Sequence, residues 1–167
     1  MKRSFAVLFI ALFLLAAILA GCSDAAKLEE AMEAYSKIVA GDLPEDLKLT
    51  IYYVDPQILT RYPWSKEDLV RCCDLVITVE SEELAPYWEL MKSLKPSILK
   101  PTQEEEYIDA RMYYYLDVGN SEKILEVVIS YIHGSVYVNG IQVEDHPVFY
   151  ELIVDFLAEE GITIPGL

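Results

Sequence analysis

The sequence predicts an α+β domain: a mainly antiparallel sheet of five to six strands with helices packed on one face, after a cleaved N-terminal signal segment. Three observations carry this prediction. Strand-like alternation is concentrated late in the chain, where 109–118, 124–132, 135–138 and 141–143 follow one another with little between them. Asn139-Gly140 sits between two of these runs, and that dipeptide favours the tight turn of an antiparallel hairpin. Apolar residues at helical spacing flank the run on both sides, so helices cover a sheet and do not alternate with parallel strands.

Each element has its own local reason. In 25–39, Leu28, Ala31, Met32, Tyr35, Ile38 and Val39 recur at intervals of three and four, giving one apolar stripe; Asp24 is placed to cap its start and Gly41 to end it. Strand alternation follows in 48–54 (KLTIYYV), closed by Asp55-Pro56. Ser65-Lys66-Glu67-Asp68 reads as a capping box opening a short helix to Arg71, with Trp64 positioned as a hydrophobic staple. The apolar run 74–79 (DLVITV) reads as a buried strand. Leu84, Tyr87, Trp88, Met91 and Leu94 form a second helical stripe, in which Pro86 is tolerable only in the first turn. Segment 95–106, with Pro96, Pro101 and the Glu104-Glu105-Glu106 triplet, is a surface connection. Two long strands then turn at Gly119-Asn120-Ser121, and Asp145 is expected to cap a last helix with Phe149, Leu152, Ile153 and Phe156 on its apolar face.

The N-terminus has a different character. Lys2 and Arg3 precede an uncharged apolar stretch, 5–20, which is short for a membrane span of about 20 residues and long for a signal core. It closes on Leu19-Ala20-Gly21-Cys22. This tetrapeptide resembles the lipobox of bacterial lipoprotein precursors at all four positions, and the resemblance covers residues 1 to 24. It implies a diacylglycerol on the Cys22 sulfur, cleavage before Cys22, and a domain on the outer face of the cell membrane. The expected organisation is a signal peptide at 1–21, a lipid-anchored helix and hinge at 22–44, and a globular domain at 45–167. The terminal hairpin and helix also loosely resemble those of small Gram-positive lipoproteins, a likeness that carries no activity with it.

Charge limits the partners. Cleavage before Cys22 would lower the 13 basic residues to 11 against 28 acidic ones, a formal charge of −17. A body so acidic is unsuited to nucleic acid, whose binding rests on Lys and Arg neutralising phosphates. It is equally unsuited to electrostatic adhesion on anionic lipid, which leaves membrane attachment to the acyl chains. Apart from that covalent lipid no cofactor is expected. Cys72 and Cys73 are adjacent and form no disulfide framework; one of them is expected to point inward at the start of a strand.

Catalytic signatures are sparse. His133 and His146 belong to no zinc-binding spacing, no serine lies in a nucleophile elbow, and the acidic clusters lack calcium-loop spacing. The more distinctive feature is tyrosine, present twelve times. If Met112, Tyr114 and Leu116 face the helices, strand parity sends Arg111, Tyr113 and Tyr115 to the other face, together with Tyr52 and Tyr137. Tyr52, Arg111, Tyr113, Tyr115 and Tyr137 are therefore expected to form an exposed aromatic platform. Such a surface suits an envelope protein, a peptide or a glycan, because tyrosine joins a large ring to a polar tip. The expected function is non-catalytic binding at the cell envelope. The alternatives are an envelope hydrolase or metal-dependent enzyme, and an accessory subunit of an envelope complex.

Overall fold

Alternation is longest in 110–118, and this segment becomes the central strand of the sheet. The computed structural model describes residues 24–102, 108–119, 123–130 and 134–164. Residues 1–23, which include the expected signal segment and Cys22, lie outside them, as do the acidic triplet, Asn120-Ser121 and His133. In chain order the elements are α1 (Asp24–Ala31), α2 (Glu33–Val39), β1 (Leu47–Tyr53), α3 (Lys66–Cys72), β2 (Leu75–Glu80), α4 (Ser81–Leu84), a 3-10 turn (Ala85–Tyr87), α5 (Trp88–Ser93), β3 (Ala110–Val118), β4 (Lys123–Ser130), β5 (Val136–Val138), β6 (Ile141–Val143), α6 (Val148–Glu151) and α7 (Val154–Glu159). Among the described residues the strands form one six-stranded sheet, ordered β2-β1-β3-β4-β5-β6, with every neighbouring pair antiparallel. The α+β prediction holds.

Strand parity divides the residues between two cores. Leu49 and Ile51 on β1, Met112, Tyr114 and Leu116 on β3, Leu125 and Val127 on β4, and Val136 and Val138 on β5 enter the main core. The helical stripes meet them there: Leu28, Met32 and Tyr35 from α1–α2, Trp88 and Met91 from α5, and Phe149, Leu152, Ile153 and Phe156 from the C-terminal helices. The N-terminal stripe thus packs into the same core as the sheet. Met32 departs slightly from helical angles between α1 and α2, yet the ladder continues through it, from Met32 N to Leu28 O and from Ser36 N to Met32 O, 2.9 Å each. Two buried phenols fix this layer: Tyr35 donates to the Met91 carbonyl (2.6 Å) and Tyr114 to that of Phe149 (3.0 Å).

Asn139-Gly140 forms the expected turn, with both residues at positive φ (47° and 81°). Asn139 does more than turn the chain. Its Oδ1 accepts the Glu126 N–H, its own N–H donates to the Glu126 carbonyl, and its Nδ2 donates to the Ala31 carbonyl at the end of α1. One side chain thereby ties the hairpin to the first helix.

Two local expectations are corrected. Segment 75–80 is an edge strand and half exposed, with Val76 at 50 %, because only β1 pairs with it. An uncharged β-branched run looks the same in sequence whether it lies at the centre or the edge of a sheet. Asp145 does not cap the last helix, which starts beyond Pro147 at Val148. His146 Nδ1 accepts the Val148 N–H instead (3.2 Å). Asp145 lies against the Tyr150 phenol, which burial first and this carboxylate second push up to about 12.

Candidate functional site

The face opposite the main core carries the tyrosines, as parity requires. Across it the register aligns Val76, Tyr52, Tyr113, Val128, Tyr137 and Gln142 in one row through all six strands. The next row runs Thr78, Thr50, Tyr115 and Glu126. Tyr52 stacks on Tyr113 with ring centroids 5.6 Å apart and on Tyr115 at 6.3 Å; Tyr113 and Tyr115 are 5.7 Å apart. The predicted gathering on one face is therefore present for these three, and Tyr137 joins the same apolar cluster.

Exposure is where the expectation fails. Tyr113 is 0 % exposed, and Tyr137 and Arg111 are also buried. Helix α3 and segment 55–64 return across this face, and Leu69 of α3 is buried in a second core with Val54, Ala110, Tyr113, Val128 and Tyr137. Helix α3 is held by the predicted capping box: Asp68 N–H donates to Ser65 Oγ (3.1 Å) and Ser65 N–H to Asp68 Oδ2 (3.3 Å). Trp64 and Leu69 share the second core, as a staple requires. Only Tyr52 and Tyr115, both half-buried, keep an open side.

Arg111 likewise holds the fold together and edges no platform. Its Nε and Nη2 donate to Asp109 Oδ2 at 3.0 and 2.8 Å, Nη1 donates to the Ile58 carbonyl and Nη2 also to Thr60 Oγ1. Asp109 Oδ1 accepts the Trp64 N–H (3.0 Å). The pair clamps the crossing segment to the sheet. Arg111 occupies a register shift, since Ala110 pairs with Ser130 and Met112 with Ile129.

The open end of the tyrosine stack is charged. Lys123 Nζ lies 4.4 Å from the Tyr115 ring centroid and 5.3 Å from that of Tyr113, and donates to the Tyr113 hydroxyl (2.7 Å) and to Glu126 (2.9 Å). Lys66 from α3 reaches Glu126 at 3.2 Å and lies 5.5 Å from the Tyr113 centroid. The Tyr113 hydroxyl in turn donates to Glu126. Burial pushes the Glu126 carboxyl up, but hydrogen bonds from Tyr113, Lys123 and Lys66 outweigh it and hold the group at about 2. Burial and then the Glu126 bond raise the Tyr113 phenol far above its ordinary value, so it stays neutral.

The role of Lys66 and Lys123 was not legible in the sequence. By simple alternation Lys123 would share a face with Leu125, in the main core. A second register shift, pairing Leu116 with Leu125 but Asp117 with Lys123, moves Lys123 to the tyrosine side. The resulting site is a half-open shelf of Tyr52 and Tyr115 with two ammonium groups and one ionised carboxylate. It offers aromatic faces, cation–π donors and a fixed acceptor, which together suit a ligand carrying both apolar and polar groups.

The remaining candidates are more ordinary. Cys73 is the partly buried member of the cysteine pair, and burial pushes its thiol up, while Cys72 is exposed. His146 caps a helix and meets the Phe149 ring edge-on at 6.4 Å. Among the described residues no group of three His, Cys, Asp or Glu side chains is gathered to hold a metal ion. A shallow depression lined by Val39, Leu94 and Pro96 with Lys92 and Lys95 lies between α2 and α5, across the sheet from the tyrosines.

No family model matches the chain, and neither a curated protein nor a solved structure is similar to it.

Proposed function

We propose that this chain is an envelope lipoprotein, held on the outer face of the cell membrane by a diacylglycerol on Cys22, whose folded part binds a partner without catalysis. Its location rests on the likeness of Leu19-Ala20-Gly21-Cys22 to a lipobox. The observation that supports binding is the placement of Lys123 over the half-open Tyr115 ring, 4.4 Å from its centroid, beside the ionised Glu126. A lysine stacked on an aromatic shelf in a chain of net charge −15 is a local departure from the acidic surface. It suits an envelope protein, peptide or glycan that presents polar groups beside an apolar face.

Two measurements test the reading separately. Intact-mass spectrometry of the mature protein should find an N-terminal Cys22 carrying the diacylglycerol. An unmodified thiol, or an N-terminus elsewhere, rules out the anchor. Crosslinking capture from intact envelopes should recover a specific partner with the native chain and lose it with the double variant Tyr115→Ser/Lys123→Ala. Equal recovery by both proteins would remove the shelf as the binding surface.

A further inference from the structure

The two edges of the sheet end differently. Along β6, the Thr102 N–H donates to the Gln142 carbonyl (3.0 Å), the Glu144 N–H donates to the Lys100 carbonyl (2.8 Å), and Pro101 bridges Val143. Segment 100–102 therefore closes that edge. Along β2, every residue from Leu75 to Glu80 pairs with β1 on one side, and among the described residues no strand or bridge occupies the other.

An open edge offers a row of unmet N–H and carbonyl groups, and folded proteins ordinarily blunt it with charge, proline, a bulge or a covering segment. Leu75–Val79 (LVITV) has no charged residue, proline or glycine, and its register with β1 runs without a shift. Its solvent-facing side chains, Val76 and Thr78, are exposed. The charges lie just outside this run: Asp74 before it, and Glu80, Glu82 and Glu83 after it, all exposed. Glu80 is met by Lys48 of β1 at 3.1 Å.

We infer that the β2 edge takes up an extended polypeptide strand from a partner, with a β-branched apolar centre and Lys or Arg at both ends. This deepens the proposed function by naming a class of partner, and it rests on that reading only in treating the domain as a binding module. Backbone hydrogen bonds along Leu75–Val79 supply the attachment, and the flanking acids select the ends. A second copy of the chain fits less well. The two-fold register that pairs the whole strand sets Asp74 against Glu80 at both ends, between bodies of charge −15 each. The added strand would lie beside Val76, whose cross-strand neighbour is Tyr52, and so would extend the row that leads to the tyrosine shelf.

The test uses the full chain in detergent, hydrogen-exchange mass spectrometry, and two synthetic peptides, KKVTITVKK and EEVTITVEE, at up to about 1 mM, the weak end of specific binding. The basic peptide should slow exchange across Leu75–Glu80 about tenfold. The acidic peptide should leave it unchanged. The variant Val76→Lys/Thr78→Lys changes only exposed side chains; it should keep the native circular dichroism spectrum and lose the protection. Absence of protection by the basic peptide overturns the proposal. Equal protection by both peptides overturns the charge assignment, and protection that grows with protein concentration alone, with a dimer in sedimentation, replaces the partner with a second copy. Each of these outcomes leaves the Tyr115/Lys123 capture result standing on its own, so the two readings fail separately.

Discussion

Arg111 and Asp109 form an ion pair with side chains only 8 % and 4 % exposed, and between them they hold Ile58, Thr60 and Trp64 of the segment that crosses the tyrosine face. The pair secures one part of the layer over the tyrosine face, and α3 with Leu69 supplies the other. Removing one partner of a buried pair leaves the other charge stranded, at a cost of about 3–5 kcal/mol. Arg111→Met should therefore lower stability by roughly that amount. It should also free the crossing segment, with faster trypsin cleavage at Arg61. The double variant Asp109→Leu/Arg111→Met should be less destabilised than Arg111→Met alone, because no lone carboxylate remains. Urea unfolding and limited proteolysis check both points.

Glu126 gives the fold a defined pH dependence. Its folded-state value of about 2 lies below the ordinary 4.5, so its contribution to stability is full above about pH 4.5 and is lost as pH falls toward 2. Glu126→Gln should be less stable than the native protein at pH 7, and the gap should narrow steadily between pH 4.5 and 2. The difference in urea midpoints across that range measures it. A gap that widens on acidification would contradict the hydrogen-bonded, ionised carboxylate.

Asn139 serves the turn and the helix separately. Asn139→Gly keeps the positive φ but loses the side-chain bonds to Glu126 and Ala31. Asn139→Ala loses the bonds and also strains the turn. The expected order of stability is native, then Gly, then Ala, with about 1–2 kcal/mol for each step. In both variants hydrogen exchange should quicken in Asp24–Ala31, the helix that this side chain holds.

Tyr35 and Tyr114 are buried phenols whose hydroxyls each satisfy a backbone carbonyl. Both Phe variants preserve ring packing: Tyr35→Phe leaves the Met91 carbonyl its bond from the Leu94 N–H and should cost about 0.5–1.5 kcal/mol, while Tyr114→Phe takes the hydroxyl from the Phe149 carbonyl and should cost about 1–3 kcal/mol. The two phenols share one core and lie within electrostatic reach of each other, so the double variant should depart from the sum of the single ones. Thermal unfolding of the single and double variants tests this.

Much of the fold was legible because it follows from residue spacing. The i, i+3, i+4 stripe from Leu28 to Val39, the alternation in 110–118, the Ser65–Asp68 box and the Asn139-Gly140 turn each carry their reason within a few residues. The tyrosine face was legible for the same reason, since parity alone separates Tyr113 and Tyr115 from Tyr114. Its exposure was not, because Leu69 is a single buried apolar residue on a seven-residue helix and gives no stripe to announce which face α3 will cover. Lys123 was hidden for a further reason, a bulge that breaks the two-residue period on which parity depends, and Lys66 because it arrives with α3.

By itself the sequence determined the class of fold, the strands and turns, the parity of the aromatic residues and the resemblance of the N-terminus to a lipoprotein signal. All of these are local, set by neighbours a few positions apart. The tertiary structure decided which sheet edge has no partner strand among the described residues, which tyrosines keep contact with water and which ammonium groups meet Glu126. Those outcomes depend on chain segments tens of residues apart returning to one surface, and no periodicity in the sequence encodes where they land.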